Sequence, residues 1–196
     1  MWDERYGEAG FAYGDAPNDF LAAQAARLPP GGAILSLAEG EGRNAVYLAG
    51  LGLRVTGVDA SSVGLAKARE LAAARGVTIE TVVSDLADFD LGVDRWDGIV
   101  SIWCHTPAPL RARLHRAAVA ALRPGGVFIL EAYTPKQLEY KTGGPRTAEL
   151  LMSLGALREE LAGLELLHAE ETVREVHEGR YHDGMSAVVQ VVARRA

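Results

Sequence analysis

Short apolar runs and helix-spaced stretches alternate along the chain. Ala33–Ala38, Arg54–Val58, Thr78–Val83, Gly98–Trp103 and Val127–Tyr133 have the length and aliphatic content of strands. Their nearly unbroken apolar character is that of strands covered on both faces. Helical patterns lie between them. One runs from about Asn44 to Leu51 and is closed by Gly52. Another is capped by Ser61 or Ser62 and runs to Arg75, where Gly76 stops it. A third is capped by Thr106, has Pro107 at its first position, and ends at Leu122 before Pro124-Gly125-Gly126. An earlier helix opens at Pro17-Asn18, with Asn18 as N-cap, and ends near Leu28 at Pro29-Pro30-Gly31-Gly32. Strands alternating with helices predict βαβ units and a parallel sheet.

The last third departs from this rhythm. A polar loop at 134–146 and helical turns over Thr147–Leu161 lead to two long runs, Leu164–Val176 and Met185–Ala193. Only a glycine-containing turn separates the runs. A parallel pair needs a crossover of a dozen or more residues, so these two are predicted to pair antiparallel. The expected class is α/β, with a mostly parallel sheet, a C-terminal antiparallel hairpin, and helices on both faces. Residues 1–16, with Trp2, Tyr6, Phe11, Tyr13 and several glycines, read as an irregular arm.

Composition narrows the partners. The chain has 196 residues, 20 Lys plus Arg and 26 Asp plus Glu, for a formal net charge of −6. An acidic surface repels phosphate backbones, which argues against nucleic acid as a partner. Cys104 is the sole cysteine, so an intrachain disulfide is impossible. The start lacks the basic and apolar regions of a signal peptide, and no apolar run approaches the ~20 residues that span a bilayer. These features predict a cytoplasmic protein with no membrane partner and no obligate protein partner. They also predict one domain over 1–196: an arm and helix at 1–32 and the α/β core at 33–196.

Chemistry concentrates at Glu39-Gly40-Glu41-Gly42-Arg43-Asn44-Ala45, which leaves the first strand and opens a helix. Gly40 and Gly42 permit dihedrals and a ligand approach that a side chain would block. Asp59 stands 19 residues after Gly40, at the end of the next strand, where a carboxylate can accept both hydroxyls of a ribose. Taken alone, the spacing also fits a dinucleotide fingerprint. Charge separates the two readings. A pyrophosphate over this turn would meet Glu39 and Glu41, and like charges 4 Å apart near a surface cost about 4 kcal/mol; Arg43 offsets part of that. S-adenosylmethionine (SAM) has no phosphate and offers an ammonium and a sulfonium, which suit acidic neighbours.

Taken with Asp59, Asp85 after the third strand, Trp96-Asp97-Gly98-Ile99-Val100, Leu122-Arg123-Pro124-Gly125-Gly126 and the terminal hairpin, the acidic turn resembles the class I SAM-dependent methyltransferases over residues 33–194. Gly42-Arg43-Asn44-Ala45-Val46-Tyr47-Leu48-Ala49 with Val55-Thr56-Gly57-Val58-Asp59 is similar to the tellurite-resistance group, with thiopurine-type enzymes as broader neighbours. The start, with Gly14, Pro17, Asn18 and Phe20, resembles the arm of that group. The resemblance implies a Rossmann-like seven-stranded sheet and SAM as methyl donor. It also implies that Glu39, Gly40, Glu41, Gly42 and Asn44 lie around the methionine end, that Asp59 and Ala60 lie at the ribose, and that Ser84, Asp85 and Leu86 flank the adenine. Each acid also has a plainer reading, as a solvated turn residue or a helix or loop cap.

Methyl transfer displaces a neutral thioether, so alignment and desolvation can carry it. A thiol or other soft nucleophile needs only deprotonation, whereas oxygen and nitrogen acceptors need a base more urgently. The acceptor belongs beyond the strand ends, near Trp103-Cys104-His105-Thr106-Pro107. The Asn/Asp-Pro-Pro-aromatic tetrapeptide of nucleic-acid and protein amino-group methylases is missing there, which favours a small-molecule acceptor. His105 is the candidate base, and it reads equally as a helix-start histidine bonded to backbone. Tyr13, with Tyr6 and Trp2, can shield a sulfonium if the arm closes over the site, or can simply pack. Cys104 is read as a buried, inert thiol. Loop 141–146 can clamp an anion or be an ordinary surface loop. His177 and His182 lack a third ligand, so no metal site is expected. The rival functions are a nicotinamide oxidoreductase and a SAM-binding regulatory module without turnover.

Overall fold

The computed structural model describes residues 2–196. The strands are β1 (Ala33–Leu37), β2 (Arg54–Asp59), β3 (Glu80–Val83), β4 (Trp96–Ile102), β5 (Leu122–Tyr133), β6 (Leu164–Glu178) and β7 (His182–Arg195). The helices are α1 (Trp2–Tyr6), α2 (Asp19–Gln24), α3 (Arg43–Gly50), α4 (Ser62–Ala74), α5 (Ala108–Ala121) and α6 (Leu154–Glu160). The sheet has seven strands in the order β3-β2-β1-β4-β5-β7-β6. All pairs from β3 to β5 are parallel, and β7 runs antiparallel to both β5 and β6. This is the mixed sheet expected of a Rossmann-like methyltransferase fold.

Side-chain alternation explains the apolar runs. Leu35 and Leu37 of β1, Ile99 of β4, and Phe128 and Leu130 of β5 share one core with Leu114 and Ala118 of α5 and Leu157 of α6. Their neighbours Ile34, Val100, Val127 and Ile129 share a second core with Phe20 and Leu21 of α2, Ala45 and Leu48 of α3, and Leu65 and Leu71 of α4. Successive residues therefore serve opposite faces, and both faces are dry.

Several element ends differ from expectation. The arm is not wholly irregular, since residues 2–6 form α1, whose Tyr6 is buried. Helix α2 tightens into a 3-10 turn at Ala25–Arg27. Its N-cap is Asn18 as expected, and the Asn18 side chain accepts from the Leu21 amide. Thr106 does not cap α5. Pro107 holds the N-cap position without a side-chain bond, and Thr106 Oγ1 has no partner among the described residues. Strand pairing in β5 begins at Leu122, then skips from Trp96↔Leu122 to Gly98↔Val127 as a bulge around the exposed Pro124-Gly125. The hairpin strands are longer than predicted and turn at 179–181. Among the described residues no helix is long and apolar enough to cross a membrane.

The chain passes from β1 out to β2 and β3, then crosses back to β4 on the other side of β1. That reversal opens a crevice at the C-terminal ends of β1 and β4, the usual place for a ligand in such sheets. Just past these ends stand Ala38 (φ 52°) and Trp103 (φ 55°), in the left-handed region where residues with side chains are strained.

Candidate functional site: an acidic turn under an aromatic arm

The turn after β1 is held by its own acids. Glu39 accepts from the Ala45 amide at 2.9 Å and from the Ser36 hydroxyl. The first bond joins the end of β1 to the first turn of α3. Asp59, at the end of β2, accepts from the Gly40 amide at 2.9 Å and the Ser61 amide at 2.8 Å. It therefore ties the glycine turn to the start of α4. Gly42 caps α3 at φ 93°, and a Cβ there would lie 2.6 Å from Ala68 of α4, so only glycine lets these segments meet.

These acids lack a full counter-charge. Burial pushes Glu39 up to about 7, against the pull of Ser36, Ala45 and Arg43, and Asp59 adds repulsion. Burial also raises Asp59, and Asp3 of α1 adds to the rise. Asp3 itself accepts from the Ser61 hydroxyl. Asp59 thus lies between Glu39 and Asp3, and among the described residues Arg43 is the cation that eases Glu39. Such a donor set fits a cationic nucleoside. A carboxylate offers about four lone-pair sites, so Asp59 keeps room for a ribose hydroxyl beyond the amides of Gly40, Ser61 and Ala60.

The other expected residues divide. Glu41 turns away from the crevice and holds the arm, accepting from the Ala12 amide at 2.7 Å and from Lys67 at 2.9 Å. Asn44 also faces the arm, accepting from the Asn18 amide at 2.9 Å. Ala60 is exposed beside Asp59. Ser84 is half-buried, and its amide donates to the Asp59 carbonyl at 2.9 Å. Asp85 is exposed and accepts from the Ala87 amide at 2.8 Å. Leu86 is buried, and a cavity of about 280 Å³ lies along Leu86–Leu91 against Arg113 and Leu114 of α5.

The two candidates for the chemical step are both engaged. His105 meets the Leu150 carbonyl through Nδ1 at 2.9 Å and receives the Tyr133 amide on Nε2 at 3.3 Å. Nδ1 is then the protonated nitrogen and Nε2 the acceptor. Burial pushes the imidazole down to about 4, so it is neutral at pH 7. In this conformation neither nitrogen is free to take a further proton. Tyr13 accepts from Arg5 at 2.8 Å, and its ring lies 4.6 Å from His182. Cys104 is buried and its thiol is pushed up to about 12, chiefly by burial.

Sequence reasoning missed a buried polar hub that joins the arm to the hairpin. Asn18 Nδ2 donates to Glu131 at 2.6 Å and Glu178 at 2.8 Å. Arg174 and Gln190 also hold Glu131, while Arg43 and Trp103 Nε1 hold Glu178. Glu131 was detectable as the one charge inside Phe128–Tyr133. Glu178 and His182 carried no such signal. The arm is also more deeply seated than a flexible segment would be. Tyr6 packs on the turn so closely that a Cβ on Gly40 would lie 2.7 Å from its hydroxyl. Lys67 bonds the carbonyls of Glu8 at 2.9 Å and Gly10 at 2.7 Å.

Comparison with known proteins gives this geometry a family context. Residues 34–126 match the model of a methyltransferase domain. A search of curated proteins finds no significant match. Among solved structures, one described under the conversion of a disulfide bond into a thioacetal group during echinomycin biosynthesis shares 25% identity, with TM-score 0.74 over 92% of this chain and 82% of that one. TehB from Haemophilus influenzae shares 20% identity, with TM-score 0.74 over all of this chain and 66% of TehB. A SAM-dependent methyltransferase from Mesorhizobium loti shares 24% identity, with TM-score 0.68 over 89% of this chain and 96% of that one. Residues 34–126 thus resemble a methyltransferase domain, and the chain as a whole has the fold of solved SAM-dependent methyltransferases.

Proposed function

We propose that this protein transfers the methyl group of SAM to a small-molecule acceptor. In this reading Asp59, with Ala60 beside it, takes a ribose hydroxyl. Glu39 and the backbone of Gly40 and Gly42 meet the methionine end, and Ser84, Asp85 and Leu86 border the adenine. Glu41 and Asn44 act indirectly, by holding the arm against the turn. The placement of Asp59 between Glu39 and Asp3 carries the proposal, because it favours a cation and opposes a pyrophosphate. Burial of the turn under α1 strengthens both effects by excluding water.

A thiol, a thiopurine-like compound, or a tellurium or selenium oxyanion remains the acceptor class. Support for sulfur comes from the neighbour described under the conversion of a disulfide bond into a thioacetal group. Support for an oxyanion comes from the resemblance of Gly42–Ala49 and Val55–Asp59 to the tellurite-resistance group.

Isothermal titration with S-adenosylhomocysteine and with NADH tests the donor assignment. Binding of the nucleoside thioether and no heat from NADH is expected, and the opposite pattern would overturn it. Incubation with labelled SAM and a panel of thiols, phenols and oxyanions then separates an enzyme from a SAM-binding regulator, which would bind without releasing any methylated product.

A further inference from the structure

Beyond the ends of β4 and β5, the rings of Tyr13, Trp103 and Tyr133 surround His182, with centroids 4.6, 5.1 and 5.2 Å from the imidazole. Trp103 and Tyr133 stack on each other at 4.3 Å. The cluster reaches the cofactor turn through Tyr13, whose ring meets Tyr6 at 6.4 Å, and Tyr6 covers Gly40. Two buried polar atoms here make no hydrogen bond of good geometry among the described residues, Tyr133 Oη and His182 Nδ1, with Ser186 beside the first and Glu178 beside the second. Tyr133 is 0% and His182 6% exposed. An unpaired buried polar group costs about 1–3 kcal/mol, so two together mark a place built for something else. Glu178 Oε2 stands 3.9 Å from His182 Nδ1 and pulls towards an imidazolium, but burial outweighs it and lowers the imidazole, which leaves it neutral and able to accept a proton. A cavity of about 120 Å³ lies beside the cluster, lined by Tyr13, Arg43, His177 and Glu178 but not by His182, Trp103 or Tyr133.

The roof of the cluster is the loop at Gly143. A Cβ there would lie 2.8 Å from the Tyr133 hydroxyl and 2.9 Å from His182 Cδ2. Access to the rings therefore requires this loop to lift. The loop is pinned through Thr142, whose hydroxyl donates to the Met185 carbonyl at 2.6 Å.

We propose that His182, backed by Glu178, is the proton acceptor for the methyl acceptor, and that Tyr133 Oη is the hydrogen-bond donor that orients it. This rests on the methyltransferase reading above. In the step, the acceptor heteroatom bonds the methyl carbon and gives its proton to His182 Nε2. The carbon–sulfur electron pair stays on sulfur as a neutral thioether, and the imidazolium beside Glu178 later releases its proton to water. The acceptor is an uncharged molecule bearing an O–H or S–H and flat enough to lie among the rings. An oxyanion does not suit the chamber, since the nearby guanidinium groups are already engaged: Arg43 with Glu178, the half-buried Arg174 with Glu131, and Arg5 with Tyr13 Oη.

The test uses the full chain saturated with S-adenosylhomocysteine and labelled in its histidine rings. Phenol and benzenethiol are the probes, anisole is the control without a proton, and tellurite is the anionic alternative. Phenol or benzenethiol should move the His182 resonance, whereas that of His115 on α5, held by Glu160, should stay still. His182→Gln and Tyr133→Phe should each weaken probe binding about tenfold while keeping S-adenosylhomocysteine affinity, which also shows that they fold. With phenol as acceptor, His182→Gln should lower kcat about 100-fold with a small change in KM. It should also remove the rise of kcat with pH. The groups facing His182 that share this titration are Glu178, Arg43, Arg5, Tyr13, Tyr133 and His105. A His182 signal unmoved by both protic probes, or moved by tellurite alone, overturns the proposal. Failure of the wild type to bind S-adenosylhomocysteine instead overturns the reading beneath it.

Discussion

Asp59 joins three segments at once, through the Gly40 amide, the Ser61 amide and its own place at the end of β2. Asp59→Ala should weaken S-adenosylhomocysteine binding at least tenfold by calorimetry, since hydrogen bonds to a charged group contribute about 1.5–3 kcal/mol each. Unchanged affinity in a folded variant would sink the ribose assignment. This residue was legible because its position follows from a local rule, an acid at the tip of the second strand. The Asn18 cap was legible for the same reason. Glu178 was not: its partners Arg43 and Asn18 lie 135 and 160 residues away in sequence. No local pattern encodes a pair that only the closed sheet creates.

At the scale of elements, the arm is the part whose ordering depends most on a few side chains. Lys67 of α4 bonds two arm carbonyls and Glu41, so one ammonium holds residues 8–10 against the turn. Lys67→Met should raise amide exchange across residues 7–13 severalfold and leave exchange in β1 and β4 unchanged. Equal protection in the variant would show that Tyr6 and Asp3 alone dock the arm. Strand and helix order was readable from the apolar rhythm, whereas α1 was not. Five residues with no helical period of their own form a turn of helix only because α4 and Gly40 receive Tyr6. The Thr106 cap failed in a similar way. Pro107 took the N-cap position with extended backbone (ψ 142°) and moved the helix start one residue along.

Across the whole molecule, opposing titrations shape stability without ligand. Glu178 is held down to about 2, because His182, Arg43 and Trp103 outweigh its burial. Its contribution is complete above 4.5 and is lost as pH falls towards 2. Burial sets His105 at about 4, so its contribution is complete above 6.5 and is lost as pH falls through 4. Glu39 behaves oppositely. With its folded value raised to about 7, its contribution is complete below 4.5 and is lost as pH rises through 7. Between 4.5 and 6.5 the Glu39 and His105 terms oppose each other. Urea unfolding of Glu39→Gln should therefore show stability rising from pH 4.5 to 6.5 where the wild type is flatter. Parallel curves would refute the buried, protonated Glu39.

The state of Cys104 has a practical consequence. A thiol sealed in the core and far from ionised at neutral pH does not compete for maleimides or other alkylating dyes. A fluorophore attached through Glu8→Cys would therefore report from one place only, with no native sulfur to engineer away. Single-molecule recordings would then show whether the arm stays docked once the Glu8 contacts to Tyr181 and Arg180 are gone.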